Sequence, residues 1–170
     1  MFDITSSKDF YRKLVADYDD FMSDQTSSRL AMNCIITAYH LHEWVWGDWV
    51  KGDKALQGVL GVSDKKSFVA WIDGVMPWFS VVQTMANGTK HFIRNSGIET
   101  ARISGYGQGP YGVGPYGQGY LLIDYGEAAG NLRYQPAAHL LEAIVRFWRD
   151  FFRAYHPDKD IPVSPHHAVP

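Results

Sequence analysis

The sequence predicts a mainly α-helical protein, a bundle of four to five helices with one β-hairpin inserted before the last long helix. Two observations carry this prediction. Apolar residues recur at steps of three and four along most of the 170 residues, as they do on one face of an α-helix. A single run of glycine, tyrosine and proline, at positions 105–120, lies between two short segments that favour strands. The helices are therefore expected to form the core.

The first two helices are predicted from capping residues and apolar periodicity. Ser6 or Ser7 can cap a helix that runs to about Met22, with Phe10, Leu14, Tyr18 and Phe21 on one face. A second helix is expected from about Arg29 to Val50. It is apolar nearly all round, which is typical of a helix at the centre of its domain. Its expected inner face consists of Ala31, Cys34, Ile35, Ala38, Leu41, His42, Val45 and Trp49.

In the middle of the chain, the sequence predicts two shorter helices and the hairpin. Ser63 can cap the first of these helices, and Pro77 interrupts it or starts the next. Asn87-Gly88 is expected to stop the second one. The hairpin arm spans about 98–125, with its tip at 105–120.

The last helix is predicted to begin at Pro136, because proline is favoured at the first helical position. Its apolar stripe consists of Leu140, Leu141, Ile144, Phe147, Trp148, Phe151 and Tyr155. Residues 1–156 are expected to form one domain, a size typical of single domains. Residues 157–170 carry four prolines and no periodicity, and we expect an extended tail that lies on the surface or on a partner.

The glycine run contains the spacing G-x-G-x-x-G twice, which resembles a nucleotide-binding loop. A dinucleotide loop is followed by a helix, however, and here a second strand follows. Pro110 and Pro115 also remove backbone donors that would hold a phosphate. A five-residue repeat of β-turns explains the run better, and removal of one repeat, 111–115, is expected to change stability little. The alternative is a partner-binding surface made of Tyr106, Tyr111, Tyr116 and Tyr120.

Composition and charge exclude several classes of function. The formal net charge is −2, whereas a protein that binds duplex DNA without sequence preference usually carries a basic excess. Cys34 is the only cysteine, so no disulfide can form within the chain. No apolar stretch is long enough to span a membrane, and the first residues do not resemble a secretory signal. We expect a cytoplasmic protein without membrane contact.

Two pairs with the spacing H-x-x-E, His40/Glu43 and His139/Glu142, could each present two metal ligands on one helix face. The second pair lies on the polar stripe of the last helix, and Arg146 follows Glu142 by four residues. This spacing is that of an ordinary surface ion pair. We therefore expect no bound metal and no other cofactor, with a metal-dependent bundle enzyme as the least favoured hypothesis.

A polar cluster inside the bundle is the first candidate site. The second helix presents Asn33, Thr37 and His40 at steps of four and three, and a chain that folds back after Gly88 would add further polar groups. The site is then expected to combine the ligand-binding residues Asn33, Thr37 and Asn87 with the catalytic residues His40, Lys90 and His91. The alternative is a capped helix end and a hydrogen-bonded core histidine. The spacing A-N-x-x-K-H at 86–91 also resembles a set of bacterial proteins, which implies no activity.

The segment "RYQPAAH", at 133–139, is the second candidate site. Its spacing resembles the Arg-x(4–6)-His motif of HEPN-domain ribonucleases, which are small helical bundles of bacterial toxin and phage-defence systems. The resemblance covers seven residues and implies a homodimer that cleaves RNA. His139 would then act in attack by the 2′-hydroxyl, and Arg133 would stabilise the phosphate.

Three functions therefore remain open at this level. A HEPN-like ribonuclease or toxin is the most specific hypothesis. A non-catalytic module that dimerises through aromatic helix faces is the main alternative, and a metal-dependent enzyme is the third. The sequence names no substrate, and between the two candidate sites it slightly favours the inner cluster around His40.

Overall fold

The computed structural model describes residues 3–91, 97–105 and 107–167, without the side chains of residues 89–91. It confirms a mainly α-helical fold with a hairpin before the last helix. The α-helices in the described residues are α1 Ser7–Ser23, α2 Ser28–Asp48, α3 Lys54–Leu60, α4 Lys65–Val75, α5 Phe79–His91 and α6 Ala137–Tyr155. The strands are β1 Glu99–Ile103, β2 Tyr120–Asp124 and β3 Tyr134–Pro136, and short 3₁₀ helices lie at Val50–Gly52 and Glu127–Leu132.

Helix α1 begins at a capping box, as the serines at its start predict. The Ser6 side chain accepts a hydrogen bond from the Asp9 N–H, and the Asp9 carboxylate accepts one from the Ser6 N–H. A residue at the end of α2 also binds the start of α1. The Asp48 carboxylate, at the end of α2, accepts hydrogen bonds from the N–H and the hydroxyl of Ser7, both at 2.8 Å. The start of α1 is thus fixed from two sides.

The capping box makes the stability of α1 dependent on pH. Hydrogen bonds from the Ser6 side chain and the Thr5 backbone lower the pKa of Asp9 from 3.8 to about 2. A carboxyl group whose pKa is lowered by folding stabilises the folded state above its ordinary pKa, and this contribution is lost as the pH falls from 3.8 through about 2. We expect an NMR titration of the Asp9 carboxyl to show a midpoint near 2, and Ser6→Ala to raise it. A wild-type midpoint at 3.8 would contradict the capping box.

The middle helices differ from the prediction in three ways. Helix α3 was not predicted, because seven residues are too few to show a clear apolar period. The cap of α4 is Asp64 and not Ser63. The predicted stop at Asn87-Gly88 is wrong, since α5 continues to His91. Val82 and Ala86 are buried, and this packing outweighs a weak local stop signal.

The hairpin is one part of a three-stranded antiparallel sheet with β2 at its centre. Ile103 pairs with Tyr120, and Leu122 pairs with Pro136. The strand β3 was not predicted because it has only three residues and ends in proline, which cannot donate to a ladder. Alternate residues of β2 lie on opposite faces of the sheet. Leu121 and Ile123 belong to the main core, whereas Tyr120 and Leu122 belong to a smaller cluster on the other face.

The glycine run folds over the outer face of this sheet and encloses the ring of Tyr120. The Tyr120 hydroxyl donates to the Val113 carbonyl oxygen at 2.7 Å. A Cβ atom on Gly114 would lie 2.4 Å from Cζ of Tyr120, and one on Gly109 would lie 2.3 Å from its hydroxyl oxygen. The run is therefore packed, and this packing argues against the expectation that one repeat can be removed at little cost. Tyr111 and Tyr116 point outward and are exposed, and Tyr106 lies outside the described residues.

The core lies where α6 crosses α1 and α2. Trp148 is fully buried, and its indole N–H donates to the Ala38 carbonyl oxygen at 3.1 Å. Tyr11 stacks on Phe152, with ring centroids 4.8 Å apart. All residues of the predicted inner face of α2 except Trp49 are buried. None of the helices in the described ranges is long and apolar enough to cross a membrane.

The described residues after α6, 156–167, form no helix or strand, yet they pack on α1. The side chains of Ile161, Ser164 and His167 are buried. The Ser164 hydroxyl donates to the Asp19 carboxylate, and the His167 ring stacks on Tyr18 with centroids 5.3 Å apart. Burial lowers the pKa of His167, so the ring stays neutral in this contact. Part of the segment is thus a component of the bundle surface.

Candidate functional site

A surface groove with a volume of about 670 Å³ lies between α4 and α6. We call it the α4–α6 groove. Aromatic rings form its floor: Trp71 lies 5.7 Å from Phe151 and 6.3 Å from Phe147, centroid to centroid. Phe151 in turn lies 5.2 Å from Tyr155. The remaining lining residues are Val75, Met76, His139, Glu142, Ala143, Arg146, Asp150 and Ala154.

Several apolar side chains are exposed to solvent at this groove. The side chain of Val75 is 51% exposed and that of Tyr155 is 36% exposed, while Trp71 and Phe147 are half-buried. Exposed apolar side chains that are grouped in one groove suit a contact with another molecule. Tryptophan, tyrosine, phenylalanine, methionine and arginine, all present here, are the residues enriched at protein interfaces.

The rim of the groove carries charges of alternating sign along α6. Glu142 and Arg146 form an ion pair, with Nε of Arg146 3.2 Å from Oε1 of Glu142. Arg149 donates from Nε to Oδ1 of Asp150 at 2.8 Å. His139 stands at the start of the same row and is exposed. The rim therefore offers paired charges around an apolar floor.

The sequence predicted the apolar stripe of α6 that lines this groove, but it did not predict that part of the stripe stays exposed. Phe147 and Tyr155 belong to the predicted apolar stripe of α6 and were expected to face inward. The stripe is wider than the surface that α1, α2 and α4 cover, so its edge remains open to solvent. The signal that could have indicated it is the width of the stripe together with the apolar residues Trp71 and Val75 on the short helix α4.

The two residues of the HEPN-like motif line different depressions. Arg133 lies in a cleft with Gly97, Glu99 and Asp124, whereas His139 lies in the α4–α6 groove. The guanidinium of Arg133 donates to both carboxylate oxygens of Asp124, at 2.9 and 3.0 Å, and lies 4.9 Å from the ring centre of Tyr134. Its hydrogen bonds lower the pKa of Asp124. Arg133 thus joins β2 to the chain that leads into α6.

The described members of the predicted inner cluster lie in different surroundings. Thr37 is buried between α1 and α2, where it accepts from Lys13 Nζ at 2.8 Å and donates to the Asp17 carboxylate. Asn33 is exposed, although it lies one turn before Thr37 on α2. Asn87 is half-buried on α5, and since that helix continues beyond it, the expected turn after Gly88 is absent. The side chains of Lys90 and His91 lie outside the described residues.

His40 lies at the surface edge of α2. Its Nδ1 is 3.4 Å from Oε2 of Glu43, and its side chain is 38% exposed. Glu43 also accepts a hydrogen bond from Lys65, and this contact is the main cause of its lowered pKa. Within the described part of the chain, no group of three histidine, cysteine, aspartate or glutamate residues could hold a metal ion. Glu43 joins α2 to α4 through Lys65 and also contacts His40.

The lone cysteine has the environment of a structural residue. Cys34 is fully buried on α2, as its apolar helix face predicts. Burial raises the pKa of its thiol well above the usual value, and a thiol that stays protonated is a poor nucleophile. Cysteine chemistry is therefore not favoured at this position.

No protein-family model, no curated protein and no solved structure matches this chain. The functional argument therefore depends on the geometry of the described residues.

Proposed function

We propose that this protein is a non-catalytic interaction module that forms a homodimer through the α4–α6 groove. The observation that carries this proposal is the open aromatic floor inside a rim of alternating charge. Removal of Val75, Tyr155 and the half-buried rings around them from water would supply the main attraction.

We propose a second copy of the chain as the partner, because the charges along α6 can pair with the opposite charges of an antiparallel α6. In a two-fold contact whose axis is perpendicular to α6, the two α6 helices would run antiparallel, and a residue before the axis would face the residue equally far beyond it in the other copy. An axis midway between Glu142 and Arg146 places each glutamate opposite the arginine of the other copy. The intramolecular pair observed at 3.2 Å would then become part of a four-charge network, which fixes the register of the contact.

The HEPN-like ribonuclease stays a prediction with less support from the geometry. It requires a phosphate site shared by Arg133 and His139, but these residues line different depressions, and Asp124 engages two of the five N–H donors of Arg133. It shares with the present proposal a homodimer and a role for the surface around His139. RNA cleavage by the purified protein that is lost in His139→Ala would favour the ribonuclease over the interaction module.

Sedimentation equilibrium of the wild type and of Val75→Glu tests the proposal. We expect a wild-type dimer and a dissociation constant at least about tenfold higher in Val75→Glu, because a carboxylate would be buried without a partner. Val59→Glu is the matched control, since Val59 is 72% exposed on α3 and does not line the groove. A wild type that stays monomeric at about 100 μM, or an equal effect of both substitutions, would contradict the proposal.

Charge exchange tests the register of the contact. Glu142→Arg and Arg146→Glu are each expected to weaken the dimer, because each places like charges opposite one another. The double variant that exchanges the two residues is expected to restore wild-type dissociation. Additive weakening in the double variant would contradict the antiparallel arrangement of α6.

A further inference from the structure

A second depression lies on the opposite side of α6, between α2, α5 and the inner face of the sheet, with a volume of about 280 Å³. Buried residues of α2 and β2 form its floor: Ala31, Ile35, Leu121 and Ile123. Met32 and Met85 stand at its sides. We propose that this cavity binds a small, neutral, largely apolar ligand, a function that is independent of dimer formation.

The chemistry of the walls defines the class of ligand. None of the described residues that line the cavity carries a charge. The only polar side chains among them belong to Ser28, Thr84 and Thr100, and the Thr84 hydroxyl already donates to the Ser80 carbonyl oxygen at 2.9 Å. Ser28 and Thr100 are exposed at the mouth. The described lining therefore suits a hydrocarbon body with at most a hydroxyl or carbonyl group near the mouth, since an ionised group would find no charged partner among these residues.

The size and the walls indicate how large the ligand is. A cavity of about 150 Å³ holds one benzene molecule, so a volume of 280 Å³ suits two fused rings or a chain of roughly eight to ten carbon atoms. Methionine side chains are flexible and polarizable, and they adapt to apolar ligands of different shape. Met32 and Met85 thus allow the cavity to accept related molecules.

Gly88 is a position in the wall of the cavity where a substitution can be tested. It lies within α5 and lines the cavity, and a Cβ atom built on it would meet no heavy atom within 4 Å. A leucine at this position would add a side chain at the wall of the cavity. Gly58 offers a matched site, because it is helical, exposed, equally free of neighbours and outside the lining.

The test measures the fluorescence of 1-aminonaphthalene, a neutral two-ring amine that is more emissive in apolar surroundings. We expect saturable binding of one molecule per chain, displacement by 1-octanol, and little displacement by octanoate. Gly88→Leu is expected to weaken binding at least about tenfold, and Gly58→Leu to leave it unchanged. Non-saturable emission, equal binding by both variants, or equal displacement by octanoate and octanol would overturn the proposal.

A second pair of variants on β1 repeats the test without a change in a helix. Thr100 pairs with Ile123 and lies on the cavity face, whereas Ala101 pairs with Leu122 on the other face. Thr100→Phe is expected to reduce binding of 1-aminonaphthalene and Ala101→Phe to leave it unchanged. If both phenylalanine variants bind as the wild type does, the ligand does not occupy this cavity. Since dimer formation uses another surface, Val75→Glu should bind the probe normally, whatever its oligomeric state.

Discussion

Gly114→Ala is expected to lower the free energy of unfolding by about 2–5 kcal/mol. Gly114 has φ = +82°, a region in which a side chain costs about 1–2 kcal/mol. The new Cβ would also lie 2.4–2.7 Å from three ring atoms of Tyr120, and overpacking of this kind costs typically about 1–3 kcal/mol. The ring cannot move away freely, because its hydroxyl is bound to Val113 and its strand continues into the core at Leu121 and Ile123.

Gly112→Ala is the matched control for this prediction. Gly112 has φ = +76°, but a Cβ atom there would meet nothing within 4 Å. It should therefore show the conformational cost alone, about 1–2 kcal/mol. The difference between the two variants, measured by urea unfolding, reports the contact with Tyr120. Equal losses would mean that the glycine run does not pack on the ring.

Asp48→Ala is expected to lower the free energy of unfolding by about 2–3 kcal/mol. The carboxylate accepts two hydrogen bonds from Ser7, which is fully buried, so alanine would leave a buried N–H and a buried hydroxyl without their acceptor. It would also remove a negative charge from the N-terminal end of α1, where the helix dipole favours it. Urea unfolding monitored by circular dichroism measures the loss.

Asp48→Asn separates the two contributions. The amide oxygen can still accept a hydrogen bond, so only the charge is removed and a smaller loss of about 1 kcal/mol is expected. Ser7→Ala in the Asp48→Ala background should recover part of the stability, because it removes the unpaired hydroxyl. A loss in Asp48→Ala no larger than that in Asp48→Asn would show that the hydrogen bonds to Ser7 do not stabilise the start of α1.

The helices and the hairpin were predictable because their signals are local. Ser6 caps α1 and Pro136 precedes α6, as their residue types favour. The segments on either side of the glycine run pair as β1 and β2, and this was predictable because the turn residues between them lie close in the chain. The inner face of α2 followed from a period of 3.6 residues alone.

The candidate sites were not predictable in the same way, because contacts distant in sequence determine which polar groups remain available. Arg133 resembles a catalytic arginine, but Asp124 engages it across a turn. Thr37 resembles a ligand-binding residue, but Lys13 and Asp17 of α1 satisfy it. Spacing along the chain predicts which side chains share one face of a helix or strand. It does not predict which residues of other elements will form hydrogen bonds with those side chains.

The sequence by itself determined the fold class, the extent of the long helices and the position of the hairpin, since periodicity and capping act within a few residues. Only the tertiary structure decided that α5 continues past Gly88, that the glycine run encloses Tyr120, and that an aromatic edge of α6 stays open. The physical reason is that an apolar stripe predicts which side of a helix is buried, but not which other helix or strand packs against it. How much of the stripe is covered depends on the lengths and positions of the helices packed against it.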